Sequence, residues 1–491
     1  MQNRIFDKTG VLTQLQSILF DVDGLWQRFR CEEKAISSGY TVLHFRDEIA
    51  LRQYYEYNIA GKKDQRLILI IDVPDMYIPL DIHHRFYTVY LTYESVFPAL
   101  SPIALRKLPG TDWDLLAFCE DLSIHETMDE RQTLQYCQHG IYEGEPISAY
   151  AEKLMVTAEA NAHVASGHRD WFAIAQNYGK ASSLYASGAR VSTWKERQNS
   201  IENLYATWLT KKYPLLSGTI DRAQPVILNK VADFIRRSSA KPALIVMDGM
   251  SFSDLYTLRR ALIDAPFDMD VGASFSFFPT VTSVARQSIF SGKLPRENDR
   301  PFSLEKEEKQ WLDFWIASGF KAHEIVFNKG ILTEIAPYVA VCGIIVKIVD
   351  DLMHAELQGR SGMQYGLLEW MKNGRLLKMI KMLLDNGFSV FMTSDHGNTS
   401  AIAQGRFVKP GILAEPASRR AVIYDSQFDA RELDRFTTEK YAGTYLPDGC
   451  SVYLFEPDTC YGDKGKEYIT HGGRTLEESI VPFVRIGTHN G

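Results

Sequence analysis

Cysteine is scarce in this chain and scattered: six residues among 491 (Cys31, Cys119, Cys137, Cys342, Cys450 and Cys460), with no CxxC pair. That spacing excludes a recognisable thiolate zinc cluster and fits buried or free thiols in a reducing compartment better than a disulfide framework. Long hydrophobic runs are missing too, since none approaches the roughly 20 residues that a membrane span requires. The first segment, MQNRIFDKTGVLTQLQ, has neither the basic start nor the apolar stretch of a secretion signal. A cytoplasmic address is the expectation. Nor is there an excess of cations: the net charge is −7, which argues against a surface coated with phosphate-binding residues and leaves room only for a local basic groove.

What the chain does have is ample material for burial. Hydrophobic residues make up 45% and charged residues 23%, ordinary values for a globular protein. The length exceeds what one core serves, so two or three domains are expected. Residues 1–108 read as a small α/β domain, with strands at Ser17–Phe20, Thr41–Phe45 and Leu67–Ile71 and helices near 25–38 and 46–58. Over 109–236 strand signals are sparse, and stretches such as Ala149–Met155 (AYAEKLM) predict a helical domain or connector.

The texture changes again over 237–491. Ala243–Met247, Ile344–Val349 and Ser389–Met392 are apolar runs of the kind that form strands covered on both faces. Between the last two, Leu376, Leu377, Ile380, Leu383 and Leu384 repeat at helical spacing before Gly387. Strand, helix, strand at this rhythm predicts an α/β fold with a mostly parallel sheet and flanking helices. In such sheets the active site lies beyond the carboxyl ends of the strands.

Those ends carry one kind of chemistry. Asp248 follows its run in IVMDGMS, Asp350 in KIVDDLMH, and Asp395 and His396 in TSDHGNT. Asp350 and His354 are four apart, on one face if that turn is helical, and so able to grip a single ion. His471 stands in YITHGGRTLEE before two glycines. Six carboxylate and imidazole donors without thiolates suit two zinc or manganese ions. Each feature has a plainer explanation on its own: an Asp after a strand caps a helix, a DxxxH is a solvated helix face, an Asp-His-Gly is a turn. Their joint occurrence at strand ends is what carries weight. Between Asp248 and Asp350, FPTVTSVARQSIFSGKLP offers Thr280 and Thr282 near the first turn of a helix that Gly292 ends. A hydroxyl there is either a nucleophile beside bound cations or a helix cap.

With these residues in order, IVMDGMS, FPTVTSVARQSIFSGKLP, DDLMH, TSDHGNT and THGGRTLEESIVPF, the chain over about 240–490 resembles the PglZ family of the alkaline phosphatase superfamily. The front part, with LFDVDGLW and FPALSP, is more loosely similar to the front half of PglZ proteins from BREX phage-defence systems. The resemblance implies an alkaline-phosphatase-like fold and two metal ions, commonly zinc. It implies that Asp248, Asp395 and His396 hold the ion that activates the nucleophile and that Asp350, His354 and His471 hold the other. It matches Thr282 to the nucleophile and Thr280 to a supporting place. Phosphodiesterase relatives carry an Asn three residues after the nucleophile; here that position is Ala285, beside Arg286, which is either a phosphoryl-binding cation or a helix-surface charge. No equivalent of the monoesterases' dedicated arginine is readable, so the expected activity is hydrolysis of phosphodiesters in nucleotides or nucleic acid; the resemblance adds other phage-defence proteins as partners and a homodimer as a further expectation.

Two other readings compete. Phe20-Asp-Val-Asp-Gly24 is a DxDG at a strand end, as in haloacid-dehalogenase phosphatases, where Asp21 would be the nucleophile and Asp23 the acid; turn or cap use is the plainer reading. Alternatively, the metal-filled site serves a defence complex as a structural hub or a partner- or nucleotide-binding module without turnover.

Overall fold

Parallel strands organise both units of the chain. The computed structural model describes residues 1–488 except 63, 74, 125, 356–357, 407–417 and 426–429. Contacts divide the chain into two units, Met1–Pro146 and Ile147–Gly491.

In the first unit, β1 (Gln16–Asp21), β2 (Thr41–Phe45), β3 (Leu67–Ile71) and β4 (Tyr87–Leu91) form a parallel sheet in the order β2-β3-β1-β4. The first three match the apolar runs, and β4 is an addition that its mixed pattern YTVYL concealed. Asp21, at the end of β1, accepts hydrogen bonds from the backbone N–H of Leu25 (2.8 Å) and Trp26 (3.0 Å). Asp23 accepts from Tyr93 N–H (2.8 Å) and from Arg106 Nε (2.7 Å). Asp21 is thus spent on the turn that follows β1, and Asp23 ties that turn to the segment after β4 and to Arg106. Burial lifts the Asp21 carboxyl to about 6 against the pull of those N–H groups.

The second unit begins with helices, among them His168–Ala186, which packs on Phe252–Ala261 at close range: a Cβ on Gly179 would lie 2.2 Å from Phe252 Cβ. Its sheet is opened by β5 (Pro242–Met247), β6 (Phe267–Phe275), β7 (Ile325–Lys329), β8 (Val341–Val346) and β9 (Ser389–Thr393). Two three-stranded sheets follow, built from β10 (Thr399–Ala403), β11 (Ala421–Asp425), β12 (Thr438–Tyr441), β13 (Cys450–Phe455), β14 (Thr459–Cys460) and β15 (Glu467–Thr470), before β16 (Ile480–Thr488) returns to the main sheet. The main sheet runs β6-β16-β9-β5-β8-β7. Strands β9, β5, β8 and β7 are mutually parallel, and β16 is antiparallel to both its neighbours. Every residue of β5 and β8 is buried. This is the expected mostly parallel sheet with flanking helices.

One strand that the sequence announced is placed differently. The strand read over Ile344–Val349 is Val341–Val346, and a helix, Ile348–Ala355, starts directly after it. Lys347 is exposed and ends the strand, while Val349 is buried from the first helical turn. An apolar run cannot by itself distinguish the end of a strand from the first turn of the helix behind it. Asp350 therefore sits in a helix, one turn before His354, rather than directly after a strand.

Candidate active site

Asp248 follows β5 and Asp395 and His396 follow β9, its parallel neighbour, so the two loops leave the sheet side by side. The loops are tied together. Ser394 Oγ lies 2.7 Å from the Met247 carbonyl and 2.6 Å from the His396 carbonyl, which share its one proton, and accepts from Met250 N–H (2.8 Å), while Gly249 N–H donates to Asp395 Oδ1 (3.0 Å). Behind Asp248, Ser251 and Asp254 form a capping box that starts the helix Phe252–Ala261 and fixes where the loop ends. Gly397 is required by proximity, since a Cβ there would lie 1.9 Å from the Glu477 carbonyl oxygen.

The structure brings the six donors together in two sets of three. Donor atoms of Asp248, Asp395 and His396 lie within 4.8 Å of one another, as do those of Asp350, His354 and His471. The sets adjoin: the His396 and His471 rings stack with centroids 3.9 Å apart and planes 10° from parallel. Asp350 and His354 meet across one helical turn, Oδ1 to Nε2 at 3.0 Å.

Hydrogen bonds fix which ring nitrogens face the centre. His471 Nδ1–H donates to the Thr280 carbonyl (2.8 Å), and His396 Nδ1–H donates to the Gly397 carbonyl (2.9 Å). A carbonyl has no proton to give, so Nδ1 carries the hydrogen in each ring and Nε2 is the nitrogen that ligates when the ring is neutral. Thr282 is the first residue of the helix Thr282–Ser291, and its hydroxyl lies 3.0 Å from His396 Nε2. Thr280 is used differently: its hydroxyl donates to the Gly473 carbonyl (2.8 Å) and accepts from Gly472 N–H (3.0 Å), which pins the loop that carries His471.

Three buried side-chain atoms of these sets have no hydrogen-bond partner among the described residues: Asp248 Oδ1, Asp395 Oδ2 and His471 Nε2. Leaving such atoms unmet costs about 1–3 kcal/mol each, more when charged. Divalent cations would satisfy all of them. Oxygen and imidazole donors without thiolates match zinc or manganese, so the residues present fit two such ions.

The electrostatics agree with that fit. Burial, reinforced by the charge of Asp395, pushes the Asp248 carboxyl well above the usual range, a strain that a cation relieves. Burial would also raise Asp350, but the hydrogen bond and charge of His354 outweigh it and hold that carboxyl low. Burial, aided by the charge of His396, keeps His471 far below the ordinary imidazole value and so neutral, the form that ligates metals.

Arg286 is neither a surface charge nor open to the rim. Its side chain is 1% exposed; Nη1 donates to Asp248 Oδ2, and Nε donates to Glu307 Oε1 at 2.5 Å. It lies four residues after Thr282, on the same face of the helix.

Residues 226–486 match the family described as the BREX system PglZ alkaline phosphatase-like domain. The match covers just over half of the chain. This chain belongs to the PglZ family. Among solved structures, murine ectonucleotide pyrophosphatase/phosphodiesterase 5 aligns at 11% identity over 50% of this chain and 87% of that one, with a TM-score of 0.34. Phosphonoacetate hydrolase from Sinorhizobium meliloti 1021 in complex with phosphonoformate aligns at 12% identity over 50% and 90%, also with a TM-score of 0.34. No curated protein matches.

Several residues that shape the PglZ domain's rim escaped the sequence reading. Ser394 lies inside the TSDHGNT motif but gave no sign of joining two loops. Arg420 donates to Glu478 Oε2, and Glu478 Oε1 accepts from Gly473 N–H (2.8 Å), so a fully buried ion pair backs the His471 loop. Only part of that was legible: Thr475 and Glu478 are spaced as a capping box, which they form. Glu307, 0% exposed, has no local signature at all.

Proposed function

We propose that this chain is a two-metal phosphodiesterase acting on a nucleotide or nucleic acid, working in the cytoplasm with other proteins of a phage-defence system. The observation that carries this reading is the pair of adjoining donor sets with the Thr282 hydroxyl 3.0 Å from His396 Nε2. Asp248, Asp395 and His396 hold one divalent ion and Asp350, His354 and His471 the other, zinc or manganese. When bound, the two ions stabilise the attacking and leaving oxygens of an in-line displacement and make a nearby hydroxyl more acidic.

The chain itself supplies the nucleophile and its placement. Thr282 Oγ1, its proton given up to solvent, attacks phosphorus; the bond to the leaving oxygen breaks, and that oxygen is protonated by water. Water then attacks the phosphothreonine, the Oγ1–P bond breaks, and Thr282 is restored. The positive end of the helix Thr282–Ser291 favours the anion at this position. Thr280 holds the His471 loop and takes no proton. Arg286 fixes the Asp248 carboxylate through one oxygen and leaves the other for a cation.

Diesters are preferred over monoesters because Arg286 is already committed to Asp248 and Glu307. A dianionic monoester needs a cation for its extra charge, and this guanidinium is not on offer. The test compares bis-p-nitrophenyl phosphate with p-nitrophenyl phosphate, with zinc, with manganese and with chelator. Faster turnover of the diester, abolished by chelator, is expected. Preference for the monoester reverses the substrate class. No turnover of either by a metal-loaded protein replaces the enzyme with a metal-holding binding module. A homodimer accompanies this reading, and light scattering at micromolar concentration tests it.

A further inference from the structure

A cavity opens within residues 147–491, and none of the six donors, nor Thr282, lines it. Its volume is about 460 Å3, within the range of small-ligand sites.

Its walls pair aromatic surface with polar groups. Trp194 stacks on Tyr185, centroids 4.5 Å apart and planes 17° from parallel, and Tyr178 lies 5.8 Å from Trp194. Tyr185 is 44% exposed, and Ile402, also on the wall, is 55% exposed. A single exposed apolar side chain is ordinary; two in one concavity beside an aromatic stack offer a planar group something to lie against.

The polar wall lacks one partner. Arg360 Nη2 donates to the Asn398 carbonyl (3.1 Å) and to Glu477 Oε2 (3.3 Å), yet its buried Nη1 finds no hydrogen-bond partner among the described residues. Burial makes an unmet guanidinium N–H costly, so an acceptor is wanted there. The charges exclude a simple anion site: Lys195 is paired with Asp458, Arg360 with Glu477, and Glu467 adds a further carboxylate to the wall. What fits is an uncharged planar ring with both acceptor and donor atoms on its edge.

We propose that this cavity is a nucleobase-binding site, separate from the six-donor centre. The ring extends the Tyr185–Trp194 stack, and an acceptor on its edge meets Arg360 Nη1. The base comes either from a free nucleoside or nucleotide or from an exposed base of a single strand. The site does not depend on turnover at Thr282.

Adenosine and guanosine test it cleanly, because neither contains a phosphoester, and a single-stranded tetranucleotide with phosphorothioate linkages tests the second source. Calorimetric titration of the full chain should show binding to a nucleoside, or to the tetranucleotide alone if the base must be presented by a strand. Affinity should fall at least about tenfold in Tyr185→Ala, the size of one base–aromatic stack, and fall also in Ile402→Ser. Both residues are exposed, and unchanged melting temperatures would show that the variants fold. Thr282→Ala should bind as wild type does. Absence of binding to all three ligands up to millimolar concentration overturns the proposal. So does binding that Tyr185→Ala and Ile402→Ser leave unchanged, or binding lost in Thr282→Ala.

Discussion

Thr282 Oγ1 and His396 Nε2 lie 3.0 Å apart, although 114 residues separate them in the chain. One heads a helix and the other sits in the turn after β9, and the contact sets a hydroxyl against the imidazole that, in our reading, shares a cation with Asp248 and Asp395. Several consequences can be measured.

Metal content is the first. Two divalent ions per chain are expected after supply of zinc or manganese, because the six donor residues form two sets and include three buried atoms without a hydrogen-bond partner among the described residues. Elemental analysis of Asp395→Ala combined with His396→Ala should show about one ion fewer. One ion or none in folded wild type contradicts the assignment.

Arg286 should matter more for stability than a helix-surface arginine. Removing it takes the buried guanidinium from between Asp248 and Glu307 and leaves Glu307 with Lys329 alone at 3.4 Å, and breaking a buried pair in this way costs about 3–5 kcal/mol. Arg286→Ala should therefore unfold at markedly lower denaturant concentration. A change within about 0.5 kcal/mol, the scale of surface substitutions, would show that the pairing carries little.

Glu202 should make stability depend on pH. Its buried carboxyl accepts from Leu476 N–H (3.1 Å), and burial, with Glu477 and Glu478 nearby and Arg420 in partial compensation, raises it from 4.5 to about 8. The sign follows from linkage: between those values the folded chain keeps a proton that the unfolded chain releases, so this contribution is present below about 4.5 and is lost as pH rises through about 8. Glu202→Gln, which keeps an oxygen for Leu476, should gain in melting temperature over wild type as pH rises from 5 to 8. A constant difference across that range would contradict the raised value.

How much of this could be read from the sequence depended on whether the signal was local. β1, β3, β5 and β8 each carry a buried, mostly apolar run, and such runs announce themselves. β6 interleaves Asp268 and Asp270 with apolar residues, and β16 contains Pro482; both are strands because each pairs along the other, which no local pattern reveals. At the site, Asp248, Asp395 and His396 were legible because strand ends in a parallel sheet share one rim. Asp350 was legible for its spacing to His354 but was placed beyond a strand rather than in a helix. The burial of Arg286 was hidden, because its partners lie 38 residues before it and 21 after it. A lone arginine in a helical pattern looks solvated until the partners that bury it are known.

The central claim is that Thr282 attacks phosphorus, and the most direct measurement is the rate of bis-p-nitrophenyl phosphate hydrolysis by metal-loaded wild type and Thr282→Ala. The hydroxyl is the only group that this account gives the bond-forming step, so its loss should lower the rate by about three orders of magnitude or more while both ions stay bound. A Thr282→Ala protein that keeps its metal and hydrolyses the diester as fast as wild type would contradict the account.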